Sequence, residues 1–190
     1  PRLIESKAEW IEVYNTTANP ISLDGCILTD YDASRSNPES PSTIGGVVIE
    51  SQGYAVFARN DNPDQNGGLV VDDTFNFNLT NSGDTVILRC SNLEIDRITY
   101  GRDLGFENIA AASLSLDFDA FDVAQNDLPG AWCAGVTPYL DVPPHLGTPG
   151  LPNPSCPRCV NVVCETPVSK CEDGEIRSYE PGMCTFVDFV

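Results

Sequence analysis

Hydrophobic residues recur at every second position along most of the chain, and polar turn residues separate these short runs. In one run, Ile11 and Val13 fall on one face, and Trp10, Glu12 and Tyr14 fall on the other. A period of two is typical of half-buried β-strands, whereas an amphipathic helix buries positions three or four apart. The pattern therefore predicts a series of short strands.

The spacing of these runs indicates an all-β fold. The strictest alternation lies in residues 75–80, and a last alternating run covers residues 113–118. Residues 91–92 are expected to form a tight turn between two strands, and a hairpin is expected around residues 51–53. No stretch carries the helical stripe that the crossovers of a parallel sheet would need. The chain is thus expected to form a β-sandwich or a small barrel.

The texture changes from Leu128 onward, where prolines crowd the chain. Proline cannot occupy the interior of a helix or of a central strand. We therefore expect an extended segment that lies over the sandwich and leads into a cysteine-rich tail. The predicted division is a sandwich at residues 1–154 and a tail at residues 155–190.

The chain has eight cysteines and a net charge of −18, which restrict its expected cellular location and partners. This cysteine content predicts disulfides and an oxidising compartment, so an extracellular or cell-surface location is expected. The acidic field would repel nucleic acid and attract cations or basic partners. No apolar run reaches the length of a membrane span. The polar start at Pro1 is interpreted as the beginning of a mature fragment of an exported precursor.

The cysteines suggest a framework of bonds. Cys26 and Cys90 both fall on predicted strands, on the faces that carry Leu28 and Leu88, so a core disulfide is favoured over two buried thiols. A second bond is expected to pin the proline-rich segment, and four cysteines then remain, with three possible connectivities. The second bond would join Cys133 to Cys156, and the remaining four are Cys159, Cys164, Cys171 and Cys184.

Two other chemistries are open to the Cys-x-x-Cys spacing of residues 156–159. A redox pair would place its first cysteine at the start of a helix, and no helix is predicted there. A zinc site usually has two such pairs, whereas this tail has one. The disulfide framework is therefore the preferred interpretation.

One loop has the spacing of a calcium site. Oxygen-bearing side chains stand at alternate positions in Asn62, Asp64 and Asn66, a glycine follows, and Asp73 falls at the twelfth position. Such spacing lets side-chain oxygens converge on one calcium ion. A plain polar loop is the alternative, because asparagine replaces the first aspartate and no glutamate closes the loop.

Candidates for catalysis are few. Asp117 and Asp119 would share the strand face opposite Phe118, which is typical of a solvated acidic patch at a sheet edge. His145 lies in the proline-rich segment without a serine or cysteine nucleophile motif. The sequence therefore predicts that the chain is not an enzyme and needs no cofactor, calcium aside.

Several segments, taken in order, resemble the lamin tail domain family, in particular its bacterial exported branch. They are residues 9–15, 21–30, 53–59, 66–68, 79–88 and 95–101, with a closing Gly147-Thr148-Pro149-Gly150 and Asn153. The resemblance covers residues 5–154. It implies an immunoglobulin-like β-sandwich without catalytic residues, used as an extracellular or surface module and sometimes joined to hydrolases or nucleases.

This chain departs from the pattern of the lamin tail domain family in two places. Cys26 stands where the family has a tryptophan, and the family's first strand would precede Pro1. Residues 183–190 resemble the first strand of a following repeat, so a tandem array is expected, in which this strand completes its own sheet or a neighbour's by strand exchange. A short packed tail is the alternative.

Together these inferences predict a non-catalytic interaction or structural module of an exported or cell-surface protein, with another protein or surface component as its partner. The alternatives are an accessory domain of an extracellular nuclease or hydrolase, and a calcium-dependent adhesion module.

Overall fold

Strands make up nearly all of the regular structure, as the period of two predicts. A computed structural model describes residues 8–30, 41–141, 144–157, 170–172 and 175–177. The strands are β1 (Trp10–Tyr14), β2 (Ile21–Ser22), β3 (Ile27–Asp30), β4 (Ser42–Thr43), β5 (Val48–Ile49), β6 (Tyr54–Ala58), β7 (Asp73–Thr74), β8 (Gly83–Cys90), β9 (Leu93–Gly101), β10 (Leu114–Leu116), β11 (Trp132–Ala134), β12 (Pro138–Asp141), β13 (Pro144–Leu146), β14 (Lys170–Glu172) and β15 (Glu175–Arg177). The helical elements are a single turn, α1 (Pro63–Asn66), and the 3₁₀ turns Arg102–Leu104 and Pro129–Ala131.

The chain divides into two units, Pro1–Cys156 and Pro157–Val190. Within the first unit, one sheet has the order β1-β6-β7 and another has the order β4-β3-β8-β9, and β2 pairs with β5. In the second unit, β14 and β15 pair in antiparallel fashion.

The core of the first unit consists of apolar side chains from the two larger sheets and the segments beside them. Leu28 of β3 lies opposite Leu88 of β8, and Phe57 of β6 is almost fully buried in the same cluster. Burial of this apolar surface is the main force that holds the sheets together. The predicted all-β sandwich is confirmed.

The alternation in residues 75–80 correctly predicts burial but not a strand. Phe75 and Phe77 are buried with their ring centroids 4.5 Å apart, whereas β7 ends at Thr74. The Phe75 N–H still donates to the Ala58 carbonyl of β6. After it, the Asn76 N–H donates to the Ser42 hydroxyl and the Leu79 N–H to the Glu9 carboxylate. Periodicity indicates which side chains are buried, but it does not indicate which groups accept the hydrogen bonds of the backbone N–H groups.

Of the two predicted hairpins, one is confirmed and one is wrong. Ser91 and Asn92 join β8 to β9 with φ angles of 51° and 66°, as a type I′ turn requires. By contrast, the turn at residues 51–53 does not join paired strands, because β5 pairs with β2 and β6 pairs with β1. The chain passes from one sheet to the other at this turn.

Two disulfides are present in the first unit. Cys26 is bonded to Cys90 across a sequence separation of 64, and Cys133 is bonded to Cys156 across a separation of 23. The longer loop gives a stabilisation of about 4 kcal/mol on the chain-entropy model. Because the Cys156 sulfur is in this bond, it does not form a redox or zinc pair with Cys159.

The remaining cysteine pairings predicted from the sequence lie outside the described side chains. They concern Cys159, Cys164, Cys171 and Cys184.

The proline-rich segment contains short strands, which its composition did not predict. Pro138 and Pro144 are the first residues of β12 and β13, which pair with each other. The first position of a strand tolerates proline because its missing N–H is not needed there. The segment is therefore partly strand, not wholly irregular.

Candidate binding groove

A groove of about 840 Å³ opens between β1 and β9. Both strands lie at the edges of their sheets, and within the described part of the chain neither has a partner strand on its outer side. Ile11 and Val13 of β1 and Ile98 of β9 line the groove and are only partly buried, although they pack against the core. The sandwich is therefore open along this side, with apolar walls.

The other face of β1, which carries Trp10, Glu12 and Tyr14, also lines the groove and is covered by aromatic rings. Tyr14 stacks at 4.8 Å on Tyr54, its cross-strand neighbour, and at 4.4 Å on Phe121. Trp10 meets Tyr139 edge to face at 6.2 Å. Phe121 and Tyr139 belong to the chain beyond β9. This later chain therefore covers a face of β1 that would otherwise be exposed to water.

Glu12 lies between these aromatic residues on the same face of β1. Its Oε2 accepts a hydrogen bond from the Gly150 N–H. Burial raises the pKa of Glu12 to about 7, against a smaller lowering by the Gly150 hydrogen bond. Near neutral pH this carboxyl group is therefore part protonated and part ionised.

A second polar cluster lies on the β9 side of the groove. The Asn126 Nδ2 donates to Asp96 Oδ2 at 2.8 Å, and the Trp132 indole N–H donates to the Asn126 backbone carbonyl at 2.6 Å. Asn126 is 8% exposed, and its Oδ1 accepts no hydrogen bond from any described residue. Burial raises the pKa of Asp96, and the charges of Asp127 and Glu94 raise it further.

The arginine nearest to this cluster in sequence is bound to another partner. Arg97 donates through Nε and Nη2 to the two carboxylate oxygens of Glu94, each at 2.8 Å, and Arg89 adds a contact of 3.2 Å. These hydrogen bonds lower the pKa of Glu94 to about 2. Arg97 therefore neutralises Glu94 and not Asp96.

The side-chain oxygens of the predicted calcium loop accept hydrogen bonds from backbone N–H groups. The Asn62 Oδ1 caps α1 by accepting from the Asp64 N–H, and the fully buried Asn66 Oδ1 accepts from the N–H groups of residues 68 and 69. Asp73 accepts from the Gly45 N–H with one oxygen and from its neighbour's N–H with the other. The loop is a capped helical turn. Calcium binding there stays a prediction, for which a change in melting temperature on adding excess calcium is the test.

The two acidic residues predicted to share an exposed face do not share it. Asp117 is 1% exposed and accepts from the N–H groups of Asp119 and Cys156, whereas Asp119 is exposed. The prediction is wrong because the segment that Cys156 anchors covers this face. His145 lies in β13, and its ring is 6.3 Å from that of Tyr139.

The groove residues Glu12, Asp96 and Asn126 were not among the candidates predicted from the sequence. Glu12 was placed correctly on the face opposite Ile11, but no sequence signal shows what covers that face. Asn126 lies in a polar run that is typical of a surface turn, so nothing marks it as buried.

The described part of the chain contains neither a membrane-spanning helix nor a group of three metal-ligating side chains. No helix in the described ranges is long and apolar enough to cross a membrane. Within the same ranges, no three His, Cys, Asp or Glu side chains are grouped to hold a metal ion.

Comparison with known proteins agrees with the sandwich. The family model of the lamin tail domain matches residues 4–102, whereas the resemblance seen in the sequence extends to residue 154. No curated protein and no solved structure matches the chain. The matched range covers β1 to β9, which include both walls of the groove. The chain belongs to the lamin tail domain family and has its immunoglobulin-like fold.

Proposed function

We propose that this chain is a non-catalytic interaction module of an exported or cell-surface protein, and that it binds a partner protein through the groove between β1 and β9. The groove is the observation that supports this proposal. Its volume of about 840 Å³ lies within the usual range for ligand-binding sites. Its walls are mostly apolar and aromatic, with polar and charged side chains among them that can orient a ligand.

The disulfides and the charge support the setting. Two cross-links in the first unit are typical of proteins from oxidising compartments. A net charge of −18 favours encounter with basic partners, because long-range attraction raises association rates.

Site-specific cross-linking tests this function. A photoreactive phenylalanine analogue replaces Ile95, which lines the groove and is 45% exposed. The matched control carries the analogue at Leu93, which is 66% exposed on the same strand and does not line the groove. Cross-linking is carried out in the extracellular fraction of the source organism.

We expect a discrete partner adduct from position 95 and not from position 93. Excess unlabelled chain should suppress this adduct, as should the Leu93→Arg chain, whereas the Ile95→Arg chain should not. The same adducts from both positions, or none from position 95, would refute binding through the groove.

Catalysis is tested separately. The proposal predicts no turnover of nuclease, protease or glycosidase substrates by this chain. An activity that disappears on replacing Asp117 by asparagine or His145 by alanine would overturn it. Whether the module accompanies a nuclease or hydrolase in a longer polypeptide is a question for the full-length gene.

Strand exchange through residues 183–190 stays a prediction, since these residues lie outside the described ranges. Molecular mass measured over a concentration series tests it. A strict monomer at every concentration would exclude exchange between copies.

A further inference from the structure

Asn126 combines burial with an unused hydrogen-bond acceptor. The residue lines the groove and is 8% exposed, and its buried Oδ1 accepts no hydrogen bond within the described ranges. A buried acceptor without a donor costs free energy, because the water that it loses is not replaced by another donor. A ligand that donates to this oxygen would recover that cost.

The orientation of the amide is fixed by its neighbour. The ionised Asp96 carboxylate can only accept hydrogen bonds, so the Nδ2 of Asn126 must face it, and the Oδ1 must face away. The group left without a partner is therefore the acceptor and not the donor.

The Asp96 carboxylate still has accepting capacity. One oxygen accepts from Asn126 Nδ2 at 2.8 Å and the other from the Arg97 N–H at 2.9 Å. A carboxylate has about four acceptor positions, so about two remain. Asp96 is only partly buried and lines the groove, so a ligand can approach it.

The negative charges around Asp96 and Asn126 favour the binding of a cation. Asp127 and Glu94 both act on Asp96 with like charge, while the Arg97 guanidinium is held by Glu94. Burial raises the pKa of Asp96, the hydrogen bonds from the Arg97 N–H and Asn126 lower it, and the charges of Asp127 and Glu94 raise it. A cation beside the carboxylate would therefore stabilise its ionised form. Trp132 lies beside Asn126, which adds an aromatic side chain to the wall.

We propose that Asp96 and Asn126 form a receptor for an arginine side chain of the partner protein. A guanidinium group has five N–H donors in a plane, so it can donate to the amide oxygen and the carboxylate together. This inference rests on the proposed function, because it names the group that the groove recognises.

The test uses the whole oxidised chain and two small probes at constant ionic strength. N-acetyl-arginine methylamide carries the guanidinium, and N-acetyl-citrulline methylamide has nearly the same shape without the charge. Chemical shifts of the Asn126 side-chain amide and the Trp132 indole N–H are followed by NMR. We expect saturable shifts with the arginine probe and affinity at least about tenfold weaker for the citrulline probe.

Two variants with equal changes in net charge complete the experiment. Asp96→Asn should weaken binding of the arginine probe by about tenfold or more. In this variant the Asn126 amide can turn and accept from the new amide, so the fold should be retained. Asp61→Asn removes an exposed carboxylate that does not line the groove, and its affinity should stay within about twofold.

Equal affinity for both probes, shifts without saturation, or equal weakening by both variants would overturn the proposal. The comparison of probes on the unmodified chain decides the matter even if Asp96→Asn does not fold. Cross-linking from position 95 together with no arginine binding would refute the receptor and keep the groove. Arginine binding without any cross-linked partner would support the receptor and refute the proposed function.

Discussion

Replacing Glu12 by glutamine should stabilise the folded chain at neutral and basic pH and leave it nearly unchanged at acidic pH. Glu12 lies on β1 among aromatic rings, and burial is the main reason that its pKa is raised. Glutamine has the same shape and retains an oxygen that can accept from the Gly150 N–H. The substitution therefore removes the charge and keeps the packing.

The size of the effect follows from the two pKa values. The carboxyl group has a pKa of 4.5 in the unfolded chain and about 7 in the folded chain. The folded state thus binds this proton more tightly, so the contribution of Glu12 to stability is most favourable below pH 4.5 and is lost as the pH rises through about 7. A difference of one pKa unit between the folded and unfolded states corresponds to about 1.4 kcal/mol. The loss of stability caused by Glu12 therefore approaches about 3 kcal/mol at about pH 8. Glutamine avoids this loss because it does not ionise.

Urea unfolding of the oxidised chain at several pH values between about 4 and 8 measures the effect. The free energy of unfolding of Glu12→Gln should equal that of the parent at the acidic end and exceed it increasingly toward the basic end. Glu107→Gln is the matched control, since Glu107 is exposed and also accepts a backbone N–H. A constant difference across the pH range, or an equal change in the control, would refute desolvation of Glu12 as the cause.

Three further variants test the fold, and a fourth serves as a control. Replacing Cys26 and Cys90 together by alanine should lower the free energy of unfolding by about 4 kcal/mol, measured by urea unfolding without reductant. Asn66→Ala should cost about 2–4 kcal/mol in thermal unfolding, because the fully buried amide makes four hydrogen bonds, and a negligible change would contradict this accounting. Gly83→Ala should destabilise the chain, since a Cβ there would lie 2.8 Å from a carbonyl oxygen of β9, at a φ of 146°. Gly130→Ala, which meets nothing within 4 Å, should leave the melting temperature unchanged.

The sequence predicted the elements of the sandwich better than their pairing. Alternation correctly placed Ile11 and Glu12 on opposite faces of β1, and it identified the burial of Phe75 and Phe77. Each of these facts concerns a side chain and the segment that carries it. Which strand pairs with a given strand depends on the whole sheet. The turn at residues 51–53 is therefore predicted as a hairpin, although it joins two different sheets.

The run at residues 113–118 shows the limit most clearly. Its hydrophobic alternation predicts a buried Phe118 and an exposed Asp117, but Phe118 is 45% exposed and Asp117 is 1% exposed. The reversal is possible because the Asp117 carboxylate accepts from two backbone N–H groups, one of them that of Cys156. A buried carboxylate with such donors costs far less than an unpaired one. The covering segment is anchored by a disulfide, so burial here is decided by a distant part of the chain.

The same reasoning explains why the groove could not be predicted. Glu12 has a raised pKa because it is buried, and chain more than a hundred residues away packs against its neighbours Trp10 and Tyr14. The same distant chain supplies the Gly150 N–H, whose hydrogen bond lowers this pKa by a smaller amount. Asp96 and Asn126 meet only because the chain after β9 returns to that strand. In a sandwich of short strands, polar groups become chemically distinctive where such returning chain covers a sheet face or edge. Sites of this kind depend on long-range contacts, and the period of a strand carries no information about them.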